Sequence, residues 1–396
     1  MAAEPTARFA RRALQRGSAE LTAILAGVPA GVLSVSGGFP NPATFPTTVL
    51  DEIVARVVRD DPGVALQYTP CEGIPSVREY LRERQEQRQG RRPELAELIV
   101  TSGGMECIAL ACQSLLDPGD AVVAEAPTYL GALQAFAGAE AEVRTVEMDE
   151  QGLVVDALQE LLEAGLRPKF VYVIPEYQNP SGRTLALERR HALIELCRRH
   201  DVLILEDVAY REISYDGTSL PSLWSLAPDL VVQAGTFSKI FCPGVRLGWA
   251  TGPADVIAQM AAAKQTTDQC AGGLGQRIVE EYGRAGHFEP QIAASSALYA
   301  SHWAATRAAL ERQMPSDCSW SEPAGGFFTW VTLPEHVDTV ALRSEAIAAG
   351  VAYVPGAPFH AAGSGRGRND LRFSFSFLSE EDLAVAVERL AGLVTR

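Results

Sequence analysis

The chain has 396 residues, of which 47% are apolar and 21% charged, and its formal net charge is −15. This length favours a large domain with a smaller one, and the acidic charge opposes binding to the phosphates of nucleic acids. The longest apolar runs are far shorter than the roughly 20 residues that span a bilayer, so no membrane association is predicted.

The N-terminal segment and the cysteines bear on location. The first 26 residues carry four arginines and faintly resemble a transit peptide, but Glu4 and Glu20 interrupt them, which favours a solvated helix. The seven cysteines are odd in number and form no CxxC pair. They favour reduced thiols over disulfides or a zinc site, so we expect a cytoplasmic protein without a bound metal.

Short apolar runs alternate with helical patterns between about residues 98 and 250. They predict strands at residues 98–100, 121–125, 169–174, 202–205, 230–233 and 246–250. Such alternation is typical of an α/β fold with a mostly parallel sheet covered by helices on both faces. Ligands of these sheets bind beyond the carboxyl ends of the strands.

Polar residues cluster directly after four of these runs. The clusters are Ser102–Gly104, Asn179–Gly182, Asp207 and Thr236–Lys239. Because parallel strands end at the same edge of a sheet, the four segments are expected to meet at one site.

After about residue 285 the pattern changes to long helices and short strands at 327–333 and 371–376, which predicts a second, α+β domain. The Gly/Pro-rich segment 34–46 is expected to lead from an N-terminal arm, packed with this second domain, into the first. The predicted units are residues 1–45 (arm and part of the small domain), 46–285 (large domain) and 286–396 (small C-terminal domain). Residues 361–369, rich in Gly and Arg, predict a mobile surface loop.

The segment 236–249, with the sequence TFSKIFCPGVRLGW, places two hydroxyls, an amine and a guanidinium close together. This set suits a ligand that carries a phosphate and presents an aldehyde. A lysine after a strand is by itself more often a solvated surface residue. The segment resembles the cofactor-lysine signature of class I/II, fold type I, aminotransferases.

Other segments resemble the remaining signatures of that family in the same order: residues 126–131, 178–182, 206–210 and 371–376. The resemblance covers about residues 34–392 and is greatest to the 2-aminoadipate and kynurenine aminotransferase subgroup. It implies the fold type I architecture of enzymes that depend on pyridoxal 5′-phosphate (PLP), with a large PLP-binding domain.

The resemblance also implies roles for individual residues. Lys239 would form the Schiff base with PLP and move the substrate's α-proton. Asp207 would pair with the pyridine nitrogen, while Asn179 and Tyr210 would hydrogen-bond the ring hydroxyl. Tyr129 would stack on the ring face, although core packing alone would also explain a tyrosine there.

A phosphate site is implied at the start of a helix, where free amides favour an anion. Its expected residues are Ser102, Gly103, Gly104, Met105, Thr236, Ser238 and Arg246. Tyr68 resembles the tyrosine that reaches the neighbouring subunit's phosphate, which implies a homodimer with shared sites.

The chain departs from its family at several positions. Gly104 and Met105 stand where near relatives often carry Ser and Gln, so phosphate contacts there are expected to come from backbone amides. Glu106 is interpreted as a partner of the helix dipole. Ala209, in place of a common proline, and Cys242, in place of a small residue, are interpreted as tolerated packing variants.

Substrate binding is expected to involve Arg372, Asn179 and Gly38. The resemblance places Arg372 on the substrate α-carboxylate, where a planar guanidinium gives a two-point grip. Gly37 and Gly38 would let the backbone approach the substrate, or would form a simple turn. Arg16, Arg366 and Arg368 could meet an acidic side chain, but a solvated role is favoured.

The leading hypothesis is therefore a PLP-dependent aminotransferase that moves an amino group from an α-amino acid to a 2-oxo acid. An alternative is a lyase, decarboxylase or oxidase of specialised metabolism on the same fold, because the same residues can serve several outcomes. A transcriptional regulator that borrows this fold is disfavoured by the acidic charge and by the short segment before residue 34.

Overall fold

The computed structural model describes residues 9–10, 12, 22–24 and 27–395. Its strands are β1 (Leu33–Ser34), β2 (Leu98–Thr101), β3 (Ala121–Ala126), β4 (Glu142–Asp149), β5 (Gly152–Leu153), β6 (Phe170–Val173), β7 (Leu203–Asp207), β8 (Val231–Thr236), β9 (Gly248–Thr251), β10 (Ser319–Trp320), β11 (Phe328–Thr332), β12 (Val351–Ala352), β13 (Val354–Pro355) and β14 (Asp370–Ser374).

The α-helices lie between these strands and at the end of the described chain. They are α1 (Thr47–Asp60), α2 (Pro62–Ala65), α3 (Pro75–Gln89), α4 (Gly104–Leu115), α5 (Leu130–Gly138), α6 (Val155–Glu163), α7 (Leu187–His200), α8 (Leu223–Leu226), α9 (Ala254–Thr267), α10 (Gly273–Arg284), α11 (Phe288–Gln313), α12 (Thr339–Ala348) and α13 (Glu380–Val394). Within the described ranges, none of the helices combines the length and the apolar character needed to cross a membrane.

The large sheet has eight strands in the order β2-β9-β8-β7-β6-β3-β4-β5. Strands β8, β7, β6, β3 and β4 run parallel to one another, whereas β9 is antiparallel to both of its neighbours. The predicted α/β fold with a mostly parallel sheet is therefore confirmed. All six runs predicted from the sequence form strands, although their ends differ by up to three residues.

Strand β6 shows why these runs are continuously apolar. Phe170 and Tyr172 point into a core with residues of α4 and α5, whereas Val171 and Val173 point into a second core with residues of α6 and α7. Successive side chains of a strand face opposite sides of the sheet, and here both sides are covered. The sheet is thus buried along its centre.

The second unit contains a four-stranded antiparallel sheet in the order β10-β11-β14-β13. Strand β1 pairs with β12, with Leu33 opposite Val351, so residues 33–34 pack with the small unit. Helix α11 contributes Phe288 and Tyr299 to one core and Leu310 to another, and so links the two units. The exact domain boundaries stay predictions.

Candidate active site

Each of the four polar segments predicted from the strand ends contributes at least one residue to a cavity of about 290 Å³. The predicted residues that line it are Gly38, Gly104, Met105, Tyr129, Asn179, Asp207, Tyr210, Thr236, Ser238, Lys239, Arg246 and Arg372. Ser102, Gly103 and Tyr68 do not line it. The cavity lies beyond the carboxyl ends of β7 and β8, as ligand sites of such sheets do.

Lys239 follows β8 and is held by the backbone of the segment after β1. Its Nζ donates to the carbonyl oxygen of Gly38 at 2.9 Å. Burial and the charge of Arg372 lower the pKa of the Lys239 amine to about 8, against the opposing charge of Asp207. A lysine with such a pKa is partly neutral near pH 7 to 8, which is the form that acts as a nucleophile or base.

Asp207 is the last residue of β7, and its carboxylate is 8% exposed. Oδ2 accepts a hydrogen bond from the Tyr172 hydroxyl at 2.8 Å, and Oδ1 accepts one from the Ala209 amide at 3.1 Å. Burial raises the pKa of Asp207, while these two hydrogen bonds lower it. Ala209 is therefore more than a packing variant, because a proline there would have no N–H to donate.

Arg372 is a buried cation on β14. Its Nη1 donates to Asn179 Oδ1 at 2.9 Å, and Nη2 donates to the Ser36 carbonyl. The guanidinium lies 4.4 Å from the ring centre of Phe328 and 5.1 Å from that of Phe359.

No carboxylate within the described ranges forms a salt bridge with Arg372, and its Nε has no hydrogen-bond partner there. Burial lowers the pKa of Arg372 to about 10, so it remains charged at neutral pH. A buried charge without a counter-ion is costly, and this arrangement suits an anionic ligand.

Hydroxyl, guanidinium and backbone N–H groups meet where α4 begins at Gly104. The Thr236 hydroxyl donates to Ser238 Oγ at 2.9 Å. Gly103 has φ +115°, and a Cβ atom there would lie 2.7 Å from Arg246 Nη2, so the guanidinium lies directly against the glycine. The N-terminal amides of a helix beside an arginine form a site for an anion.

Three predicted residues lie outside the cavity lining: Gly103, which lies against Arg246, and Ser102 and Tyr68. The Ser102 hydroxyl donates to Asp268 at 2.7 Å, and the Ser102 amide donates to Glu106, which also accepts from Lys264. Ser102 therefore lies next to the anion site at the start of α4 but does not face the cavity. Tyr68 is 79% exposed on the outer surface, so its proposed contact with a neighbouring subunit stays a prediction.

Two of the three arginines considered for an acidic substrate side chain, Arg366 and Arg368, do not line this cavity. Arg366 and Arg368 lie exposed in the segment 361–369, and Arg368 pairs with Asp338 at 3.1 Å. They line a different surface cavity. Arg16 lies outside the described residues.

Sequence reasoning missed three aromatic residues that shape the site. Phe328 and Phe359 enclose the Arg372 guanidinium, and Tyr172 donates to Asp207. Only Tyr172 had a usable signal, because a tyrosine inside a buried apolar strand needs a partner for its hydroxyl.

Comparisons with known proteins agree with this geometry. The model of the family described as aminotransferase class I and II matches residues 39–390. Aromatic-amino-acid aminotransferase 1 of Thermococcus litoralis is 36% identical over 392 residues, covering 98% of this chain and 94% of that protein. The 2-aminoadipate transaminase of Thermus thermophilus is 36% identical over 364 residues, covering 91% and 89%.

A solved structure is similar throughout. The α-aminoadipate aminotransferase LysN from Thermus thermophilus, complexed with N-(5′-phosphopyridoxyl)-L-leucine, has a TM-score of 0.92 at 34% identity. The match covers 99% of this chain and 98% of that one.

Proposed function

Because the chain belongs to the class I and II aminotransferases and is a PLP-dependent enzyme, we propose that the cavity containing Lys239, Asp207 and Arg372 is its active site. An α-amino acid and a 2-oxo acid are its substrates. The two relatives described above are aminotransferases, so a lyase, decarboxylase or oxidase is not favoured. The observation that carries the site assignment is that Arg372, buried and without a salt bridge to any described residue, lines the same cavity as Lys239.

The residues present fit PLP. Lys239 provides an amine for the aldehyde, and Asp207 provides a buried carboxylate for the ring nitrogen. Thr236, Ser238 and Arg246, with the first amides of α4, provide donors for the phosphate. When bound, PLP supplies an electron sink that stabilises negative charge at the substrate α-carbon.

The protein's own groups then have separate tasks. Arg372 binds the α-carboxylate and fixes the orientation of the substrate, which brings its α-hydrogen within reach of Lys239. Lys239 would hold the cofactor, and once an amino acid has displaced it, its free amine would take the α-proton and pass it to the cofactor's C4′ carbon. Burial raises the pKa of Tyr210, so its hydroxyl stays protonated and can donate. Asn179 connects the Tyr210 hydroxyl to Arg372, because it hydrogen-bonds Tyr210 and its Oδ1 accepts from the guanidinium.

Gly104 has no side chain that could donate a hydrogen bond to the phosphate of PLP. A variant that adds a donor there should therefore bind PLP more tightly. A Cβ atom at Gly104 would meet only Thr236, at 3.5 and 3.7 Å, which is ordinary contact. Gly104→Ser is expected to tighten PLP binding about fivefold, since one added hydrogen bond contributes about 1 kcal/mol. Titration of apoprotein with PLP measures this. Gly103→Ala is the contrasting variant, because its Cβ would collide with Arg246; equal effects of both changes would contradict the assignment.

The lowered pKa of Lys239 predicts how the apoprotein reacts with PLP. Only the neutral amine attacks the aldehyde, so the rate of attachment should rise about tenfold per pH unit and level off near pH 8. Stopped-flow absorbance of apoprotein mixed with PLP gives this profile. Arg372→Leu removes a positive charge that lowers the pKa, so its midpoint should move to higher pH. A wild-type midpoint near 10.5, the ordinary value, would contradict the prediction.

We further propose that the amino donor has a large side chain. Ile24, Phe39 and Leu130 provide apolar walls in the cavity. The relatives are named for aromatic amino acids and for 2-aminoadipate, which are both large.

A single-turnover experiment tests the reaction. Holoenzyme mixed with phenylalanine, leucine or 2-aminoadipate, without added 2-oxo acid, should release one equivalent of the matching 2-oxo acid per active site. Repeated release of ammonia or carbon dioxide would instead support the lyase or decarboxylase reading.

We also propose that the protein forms a homodimer with shared active sites and is located in the cytoplasm. Tyr68 and Leu66 are 79% and 61% exposed, so both are accessible to a neighbouring subunit. Analytical ultracentrifugation should give twice the mass of 42.5 kDa. The cytoplasmic location is supported by the seven cysteines, which are all free.

A further inference from the structure

Tyr172 presents a hydroxyl inside a strand whose other three residues are apolar. It lies on β6, next to β7, and its side chain is fully buried. The ring packs edge-on against Phe136, with 5.5 Å between ring centres and 76° between ring planes. Packing therefore fixes the direction of the hydroxyl, which donates to Asp207 Oδ2 at 2.8 Å.

The two oxygens of Asp207 each have a different donor. The Tyr172 hydroxyl holds Oδ2, and the Ala209 amide holds Oδ1. A carboxylate that accepts two hydrogen bonds is fixed in rotation about its χ2 angle, and its negative charge is stabilised against burial. The Ala209 amide belongs to the turn after β7, so Tyr172 is the contact that comes from another strand.

We propose that Tyr172 is a positioning residue for Asp207: its hydroxyl orients the Asp207 carboxylate and keeps it ionised toward the ring nitrogen of the cofactor. This inference rests on the proposed role of Asp207. Without the hydroxyl, the carboxylate becomes more basic, and the proton shared with the ring nitrogen moves toward Asp207. Tyr172 thus affects the protonation of the cofactor's ring nitrogen through Asp207, although Tyr172 does not line the active-site cavity.

Tyr172→Phe tests this with little change in shape. PLP labelled with ¹⁵N at the ring nitrogen is bound to wild-type and variant proteins, and the nitrogen resonance is measured by NMR. In the variant we expect the resonance to move toward that of neutral pyridine. PLP affinity of the apoprotein and kcat should each fall about tenfold, while KM for the amino acid changes little.

Tyr353→Phe is the matched control. Tyr353 is also buried, and its hydroxyl donates to the Thr339 carbonyl at 2.8 Å in the small unit. It should lower the melting temperature as Tyr172→Phe does, but leave the ¹⁵N resonance and PLP affinity unchanged. Equal shifts in both variants, or none in Tyr172→Phe, would overturn the proposal.

Asp207→Asn tests the role of Asp207 at the ring nitrogen separately from the positioning role of Tyr172. If Asp207→Asn moves the ¹⁵N resonance and Tyr172→Phe does not, Asp207 keeps its role and Tyr172 loses the one proposed here. If neither variant moves the resonance, the assignment of Asp207 to the ring nitrogen also fails.

Discussion

Lys239→Ala is expected to lower the rate of transamination by roughly 10⁴-fold, because it removes both the covalent anchor and the general base. Asp207 and the residues expected to hold the phosphate are untouched, so PLP should still bind, but it should be removable by dialysis. Single-turnover release of 2-oxo acid measures the chemical step, and absorbance after dialysis measures retained cofactor. Retention of PLP equal to wild type would contradict the role of Lys239.

The lysine content of the chain gives this prediction a sharp control. The sequence contains only three lysines, Lys169, Lys239 and Lys264. Lys169 pairs with Asp120 on the surface, and Lys264 is buried against Glu106 and Asp268. Borohydride reduction should fix the cofactor on Lys239 alone, as peptide mass spectrometry would show. Lys169→Ala should keep full activity, whereas a label on Lys264 would overturn the assignment.

The sequence predicted six strands of the large sheet but not the two at one edge, β4 and β5. Strand β6 is covered on both faces, so its residues had to be continuously apolar, and this left a clear pattern. Strand β4, with the sequence EVRTVEMD, is largely exposed or half-buried, and its charged residues gave no strand signal. Its pairing with β3 depends on backbone hydrogen bonds, which leave no mark on side-chain composition.

The site residues that lie at or just after the end of a strand could be predicted from the sequence. Asp207 and Lys239 come directly after buried runs, so their convergence followed from the topology. The side-chain contacts could not be predicted in the same way. Phe328 packs on Arg372 because β11 pairs with β14, a contact set by the fold. Ser102 has the expected place in the chain, yet its hydroxyl bonds Asp268.

Arg372→Leu is expected to lower kcat/KM for amino acids by roughly 10³-fold, about 4 kcal/mol, since a two-point grip on the carboxylate is lost. Arg372→Lys should lose about 10²-fold, because an ammonium keeps the charge but not the planar pair of donors. Steady-state kinetics with an amino acid and with the amine that lacks its carboxylate measures the effect. The amine should lose much less activity than the amino acid in both variants, because it has no carboxylate for Arg372 to bind.

The melting temperature of Arg372→Leu distinguishes a role in substrate binding from a structural role. The guanidinium is buried between Phe328 and Phe359 without a salt bridge to any described residue, so leucine removes an uncompensated charge from an apolar place. We therefore expect the melting temperature of Arg372→Leu to equal or exceed that of wild type. A structural arginine would show the reverse, with a lower melting temperature and similar losses for the amino acid and the amine. That result would remove Arg372 from the substrate site, because its burial would then serve the fold.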